Sequence, residues 1–143
     1  MQDLGKKIPT FRAKCANCGE LFDHPSLSDM AYGEFVFCSE NGKIYAYSSA
    51  FEPSAKLIEV LLPDNCGADL FQAALAGLSD PILGQQLTTK IHCPKCCSIN
   101  LEFWHGEQSG SIWVQGTNYN QLLSLNRKDI IARVREFAKS FKA

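Results

Sequence analysis

The sequence has few of the features that mark membrane or exported proteins. Its apolar runs are only a few residues long, well short of the roughly 20 residues that a membrane-spanning helix needs. The N-terminus, MQDLGKKIPTFRAKC, contains no apolar core of the kind found in secretory signals. We therefore expect a cytoplasmic protein with no membrane contact. In that reducing compartment cysteines are metal ligands or core thiols more often than disulfides.

The chain also lacks an excess of either charge and lacks the common nucleotide-binding motifs. Its 14 basic and 15 acidic residues give a formal net charge of −1, so bulk charge gives no reason to expect a polyanionic partner. Neither G-x-x-x-x-G-K-[ST] nor G-x-G-x-x-G occurs, which leaves nucleotide-phosphate chemistry without support. With 45% apolar and 20% charged residues among 143, the composition is that of a globular protein of one domain.

Cysteine, in contrast, is abundant, and four of the seven residues form two C-x-x-C pairs, CANC at 15–18 and CPKC at 93–96. The two-residue spacing lets a tight turn, or knuckle, direct both sulfurs to one point, and two knuckles supply the four thiolates of a tetrahedral Zn²⁺ site. Gly19 and Pro94 favour such turns, because glycine accepts a positive φ and proline presets its own. We predict one structural Zn²⁺, with the ligands Cys15, Cys18, Cys93 and Cys96.

Alternatives to this assignment remain open from the sequence. The pairs could be redox dithiols, although these normally occur singly, between a strand and a helix. Cys97 stands where the first knuckle has glycine and could replace Cys96 as the fourth ligand, although the two-residue spacing favours Cys96. Cys38 and Cys66 have no partner at ligand spacing, and we expect both to be small buried apolar residues.

The two knuckles resemble those of a zinc ribbon, in which strands and a β-hairpin accompany a four-cysteine site. The resemblance covers residues 10–23 and 87–117, and it implies an antiparallel β element with a closed metal site. Zinc ribbons serve transcription, translation, enzymes and scaffolding, so the resemblance implies no single activity. Because four cysteines leave no coordination position for water, we predict no catalytic residue at this site.

The segment between the knuckles is too long for a structureless loop, and we interpret residues 24–86 as an acidic insertion with its own structure. Residues 34–50 predict a β-hairpin with a type I′ turn at Asn41-Gly42 and apolar groups on both faces. The run KLIEVLL at 56–62 suits a strand or a helix, and we favour a strand. The apolar spacing over 67–78 predicts a helix.

After the second knuckle, residues 98–117 predict a second hairpin that turns within GEQSG. Residues 126–142 predict an amphipathic helix with Asn126 as its N-cap. Together these elements indicate an α+β protein in a single domain of residues 1–143: a ribbon-like antiparallel β core, an inserted hairpin and helix, and a C-terminal helix.

Charge is distributed unevenly, with a net +3 in residues 1–18, −7 in residues 19–92 and +3 in residues 93–143. Our first hypothesis is a protein-interaction or regulatory module, in which the acidic or the basic part faces another protein. Nucleic-acid binding is the alternative, because tryptophans and basic side chains can contact bases and phosphates. The candidate partner-binding residues are Trp104, Trp113, Lys128, Arg135 and Lys139.

An enzyme with a zinc-dependent or cysteine site is the second alternative. His105-Gly106-Glu107 forms an H-x-E, as in zinc deaminases, but there the C-x-x-C follows the H-x-E and here it precedes it. None of the three histidines stands in a recognisable catalytic pattern, so this alternative has little support.

Overall fold

A computed structural model describes residues 5–27, 33–64 and 67–141. It confirms the α+β class, with a mixed sheet of seven strands and four helices in these ranges. The strands are β1 (Lys6–Cys15), β2 (Leu21–Pro25), β3 (Glu34–Ser39), β4 (Tyr45–Ser49), β5 (Leu87–Thr88), β6 (Leu101–Phe103) and β7 (Gln108–Gly116). The helices are α1 (Pro53–Leu61), α2 (Ala68–Gly77), α3 (Asn120–Leu123) and α4 (Arg127–Ser140).

The sheet has the strand order β2-β1-β7-β4-β3-β5, and β6 pairs with β1. The pairing of β4 with β7 is parallel, and the other pairings are antiparallel. In the parallel pairing, Ala46 and Tyr47 lie beside Gln115 and Gly116. This short ladder joins the β3–β4 hairpin to the strands next to the two knuckles.

Two apolar clusters hold the sheet and helices together. The larger one packs the helices against the β3–β4–β5 part of the sheet, and Phe37, Ile58, Leu75 and Val134 are buried in it. The smaller one lies at the knuckles and consists of Ala13, Cys15, Phe22 and Cys93, with Ile91, Cys96 and Leu101 packed around them. Cys15, Cys93 and Cys96 therefore belong to an apolar cluster that is separate from the larger one.

The hairpin predicted over residues 34–50 is confirmed by the pairing of β3 with β4, but its type I′ turn is wrong. That turn needs a positive φ at both central residues, and Gly42 has one, at 72°, whereas Asn41 does not. The Asn41 side-chain oxygen instead accepts hydrogen bonds from the Ser39 hydroxyl and the Lys43 N–H. These bonds stabilise a longer connection between the strands.

The strand predicted over 56–62 is wrong, because this run forms most of α1. Pro53 lies in the first turn of the helix, where its missing N–H has no helical partner to lose. Ala55, Ile58 and Leu62 then lie on one face and are buried in the larger cluster. The apolar spacing of residues 56–62 fits both a strand and a helix. The preceding Pro53 is the sequence signal that favours the helix.

The other two predicted helices are confirmed as α2 and α4. Asn126 caps α4, and its side-chain oxygen accepts a hydrogen bond of 2.9 Å from the Asp129 N–H. The apolar stripe of α4 packs on the larger cluster through Ile130, Val134 and Phe137. None of the helices in the described ranges combines the length and apolar character needed to cross a bilayer.

The second predicted hairpin is wrong, because β6 and β7 each pair with β1 rather than with each other. They follow one another along the same edge of β1, so the chain continues in one direction. Between them the Gly106 N–H donates to the Arg12 carbonyl, and the Arg12 N–H donates to the Glu107 carbonyl. The long strand β1 thus supplies partners across the interruption, and GEQSG is an irregular part of a strand rather than a turn.

Gly42 provides a test of how closely the β3–β4 turn packs on the second knuckle. A Cβ added at Gly42 would lie 2.4 Å from the His92 carbonyl oxygen and 2.8 Å from that of Cys93. We expect Gly42→Ala to lower the free energy of unfolding by about 3 kcal/mol, because a backbone collision is added to the strain of a positive φ.

Gly84→Ala is the matched control, since Gly84 has a φ of 79° and nothing within 4 Å of an added Cβ. We expect it to cost only about 1 kcal/mol. Urea unfolding measures both variants, and equal losses would contradict the close contact between turn and knuckle.

Candidate metal centre

Four cysteine sulfurs meet where the two knuckles approach each other. The Sγ atoms of Cys15, Cys18, Cys93 and Cys96 all lie within 4.8 Å of one another. Cys15 Sγ is 3.5 Å from Cys96 Sγ, and Cys18 Sγ is 3.6 Å from Cys93 Sγ. Zn–S bonds of about 2.3 Å place sulfurs about 3.8 Å apart in a tetrahedron, whereas a disulfide bond is about 2.05 Å long. The spacing is therefore that of a candidate metal site.

Backbone amides of both knuckles point at the sulfur of the first cysteine of each pair. The Cys18 N–H donates to Cys15 Sγ at 3.4 Å, and the Lys95 N–H donates to Cys93 Sγ at 3.4 Å. Hydrogen bonds of this kind stabilise a thiolate over a thiol. Each turn thus orients the sulfur of its first cysteine by a backbone hydrogen bond.

Cys97 occupies the place in the second knuckle that Gly19 occupies in the first. Its φ is 67°, against 79° for Gly19, and the N–H of each donates to the carbonyl of the first cysteine of its pair. Cys97 is exposed and lies outside the sulfur cluster, which contains Cys96. Of the two candidates for the fourth position, the structure places Cys96 with the other three sulfurs.

The clustered thiols differ in acidity. Backbone hydrogen bonding at Ser98, followed by the Asn17 side chain, lowers the pKa of Cys96 to about 6. A backbone hydrogen bond at Glu20 lowers the pKa of Cys18, but desolvation and the neighbouring sulfurs together outweigh it and raise the pKa to about 12. Neighbouring thiolates repel one another, so a bound cation is the means of ionising all four together.

The four clustered cysteines differ in exposure, and together they supply all the ligands of a tetrahedral site. Cys15 and Cys93 are buried in the smaller apolar cluster, whereas Cys18 is exposed. Four thiolates fill a tetrahedral shell and leave no position for a substrate or water. The chemistry of the donors therefore suggests a structural metal.

The predicted partner-binding residues lie on separate parts of the surface. Trp104 lines a cleft beside β2, and Trp113 lines a groove beside β7. Arg135 and Lys139 line a third groove, against the end of α1, and Lys128 is exposed in the first turn of α4. The structure does not bring these five side chains together into one surface.

The other cysteines and His105 lie outside the sulfur cluster or outside the described residues. Cys38 is buried, as expected, and its thiol donates to the Ser39 carbonyl, whereas Cys66 lies outside the described residues. His105 stacks on Phe11, with the ring centroids 4.1 Å apart. In the described ranges, the residues grouped at metal-binding distance are the four cysteines, and His105 is not among them.

His24 is a notable residue that sequence analysis missed. It lines the cleft beside β2, which has a volume of about 510 Å³. His24 is only 6% exposed, and its Nδ1 has no hydrogen-bond partner among the described residues. It packs edge-on against Tyr45 and Trp104, and this burial lowers its pKa to about 4. A single histidine in a short strand gives no sequence signal for such an environment.

Comparisons of this chain with protein-family models, with curated proteins and with solved structures find no match. The similarity to zinc ribbons therefore remains a resemblance at the two knuckles. Function has to be inferred from the sulfur cluster and the surface, because a fold alone does not specify an activity.

The burial of His24 predicts that the folded protein loses stability as the pH falls. Its pKa is about 4 in the folded protein, against an ordinary value of 6.5, so the unfolded chain binds a proton in this interval that the folded protein does not. The contribution of His24 to the free energy of unfolding is fully present above pH 6.5. It decreases by about 3 kcal/mol as the pH falls towards 4.

We expect His24→Gln to remove this part of the pH dependence in urea unfolding measured across the same interval. The difference between wild type and variant isolates His24, since the thiols and carboxylates titrate in both proteins. Parallel stability curves for the two proteins would contradict the assignment.

Proposed function

We propose that the four-cysteine cluster binds one structural Zn²⁺ and that the protein acts as a protein-interaction or regulatory module. The observation that supports the metal is the meeting of four sulfurs at separations close to the edge of a zinc tetrahedron. Thiolates are soft ligands, which favour zinc over magnesium or calcium. The filled shell supports a structural rather than a catalytic role.

The zinc would join parts of the chain that are far apart in sequence. Cys18 and Cys93 are 75 positions apart, and Cys15 and Cys96 are 81. Structural zinc contributes on the order of 10–16 kcal/mol of apparent binding free energy in small domains. Bound here, it would hold the end of β1 next to the start of β6, the two strands that the knuckles adjoin.

Exposed apolar side chains support a protein as the partner. Leu83 is 88% exposed and Trp113 is 71% exposed, and both line the groove beside β7. Apolar surface that is grouped in this way marks protein-binding sites more often than isolated apolar residues do. The net charge of −1 gives no general attraction to a polyanion.

One observation favours nucleic-acid binding as the alternative function. Lys7 lies opposite Trp113 in the β1–β7 ladder, so an exposed indole and a cation share one face of the sheet. Such a pair could stack on a base and contact a phosphate. We therefore keep this function as the second candidate.

Several finer assignments stay predictions. These are the zinc-ribbon identity, the cytoplasmic location and the division of one domain into residues 10–23 plus 87–117, the insertion 24–86 and the helix 126–142. The antiparallel pairing of β1 with β6, next to the two knuckles, supports the ribbon.

Cysteine-to-serine variants test the metal. We expect about one Zn²⁺ per wild-type chain by elemental analysis. Cys18→Ser should lose the ion and unfold at lower urea concentration, because three thiolates no longer complete the shell. Cys97→Ser, the matched control next to the cluster, should retain the ion and the wild-type midpoint.

Three outcomes would contradict this assignment. They are a wild-type protein that binds iron instead of zinc, a Cys18→Ser variant with full zinc and full stability, and a Cys97→Ser variant that loses the metal as Cys18→Ser does.

Fluorescence anisotropy with labelled single-stranded DNA and RNA of mixed sequence separates the two candidate functions. We expect no binding at low salt, because the net charge is −1 and the groove that contains Arg135 and Lys139 is not the one that contains Trp113. Binding that weakens steeply with added salt and is lost in Trp113→Ala would instead establish the nucleic-acid function.

A further inference from the structure

We propose that the free edge of β7 binds an extended segment of a partner protein, which adds a strand to the sheet. The free edge is defined as residues Ser109–Trp113, which precede the point where β4 joins β7 at Gln115. This inference rests on the proposed interaction function, and it specifies the surface and the chemistry of the partner.

The hydrogen-bond pattern of the sheet shows which peptide groups point to the free edge. The Pro9 carbonyl accepts from the Ser26 N–H, on the side of β1 away from β7. Since successive residues of a strand alternate, Ile8 directs its peptide groups towards β7, where it lies opposite Ile112. Ser111 and Trp113, the neighbours of Ile112, therefore direct their N–H and C=O groups away from β1.

The pairing of β7 with β4 gives the same result independently. The Thr117 N–H donates to the Tyr47 carbonyl at 2.8 Å, so alternate residues of β7, counted back from Thr117, point to the β4 side. Among these, Ser111 and Trp113 lie beyond the end of the β4 ladder, whose described pairs are at Gln115 and Gly116. In the part of the chain that the structure describes, the two residues have no strand partner on this side.

Two of the features that usually prevent strand addition, charge and proline, are missing from this edge, although β7 shifts register against β1 at its start, between the pairs Thr10–Gly110 and Phe11–Gln108. Its sequence, SGSIW, contains no charged residue and no proline, the residues that commonly protect an edge strand. All five residues are exposed, including 38% of Ile112 and 71% of Trp113. On β1, Pro9 lies opposite Ser111, and its carbonyl already accepts the hydrogen bond from the Ser26 N–H.

A groove of about 380 Å³ lies next to the free edge, lined by Ile44, Tyr45, Ile82, Leu83, Ile112 and Trp113 together with Lys43 and Gln115. Leu83 stands at the tip of a tight turn closed by two hydrogen bonds between Ile82 and Gln85. Its φ is 51°, a left-handed conformation that costs roughly 1 kcal/mol for a residue with a Cβ. Leu83 is 88% exposed, so its side chain contributes apolar surface to the groove and is not packed in the core.

The backbone edge and the groove together specify the partner. Unpaired peptide groups are satisfied by another extended backbone, and the groove accepts apolar side chains that alternate along it. Lys43 is the charged side chain among the described residues of the groove, and Lys7 lies opposite Trp113 on the outer face. We therefore infer an extended peptide segment in which apolar residues alternate with at least one acidic residue.

Substitutions at Ser111 test whether the edge backbone makes the contact. Ser111→Pro removes an N–H that points to the free edge and leaves the hydrogen bonds between β1 and β7 in place. Ser111→Ala is the matched control, because it keeps the N–H and removes only the hydroxyl. The probe is an array of peptides of about six residues, a usual strand length, with alternating apolar and acidic side chains. A second array carries lysine in place of the acidic residues.

We expect wild type and Ser111→Ala to bind the acidic array and Ser111→Pro to bind it at least about tenfold more weakly. Lys43→Glu should shift the preference to the lysine array. In amide exchange of the wild-type complex, the N–H groups of Ser111 and Trp113 should gain protection, whereas that of Ile112 is already in the β1 ladder. This last measurement needs no variant, so it tests the proposal even if Ser111→Pro does not fold.

Besides a failure of the zinc-loaded wild type to bind either peptide array, two results would overturn the proposal. One is peptide binding that Ser111→Pro leaves unchanged, without new protection at Ser111. The other is self-association of the wild type through this edge, seen in sedimentation, which would make a second copy the occupant. Zinc content measured on the same samples separates the failures: a zinc-free wild type contradicts the proposed function, whereas a zinc-loaded one without edge binding contradicts only this inference.

Discussion

The structure depends on one constraint, the meeting of four sulfurs from two distant parts of the chain within 4.8 Å. Two of these sulfurs are buried in a small apolar cluster, so the knuckles are part of the packing and not appendages. The same neighbourhood includes the β3–β4 turn, because Gly42 packs against the backbone of Cys93. A cation bound there would stabilise one end of the sheet and the approach of the inserted hairpin together.

The way in which the hairpin joins the sheet explains the exposed edge. Among the described residues, β4 pairs with β7 at Gln115 and Gly116, in a short parallel ladder. The preceding part of β7 is held by β1 on one side and is exposed on the other. A candidate metal site and an exposed strand segment therefore lie in the same sheet, the first at the end of β1 and the second along β7.

Elements that are stabilised by their own local bonds could be predicted from the sequence. The knuckles, the helix α2 and the Asn126 cap each depend on residues close in the chain, and each is present. The type I′ turn at Asn41-Gly42 is a local error, because the Asn41 side chain forms its own bonds with Ser39 and Lys43. The other two errors concern elements that depend on distant partners. β6 and β7 share β1 instead of pairing together, and α1 buries Ile58 against the larger cluster. In both cases the local pattern was compatible with two structures, and packing selected one of them.

By itself, the sequence indicated a four-cysteine site, since two C-x-x-C pairs have turn-forming neighbours, but it left the fourth sulfur open between Cys96 and Cys97. It also determined the α+β class through the periodicity of its apolar residues. Only the tertiary structure decided which sulfur joins the cluster and what surrounds His24 and β7. Cys96 rather than Cys97 lies with the other sulfurs, and among the described residues His24 Nδ1 has no hydrogen-bond partner and Ser109–Trp113 have no strand partner on the β4 side. The physical reason is that φ, burial and strand pairing at these positions are set by contacts with residues remote in the chain, which no local pattern encodes.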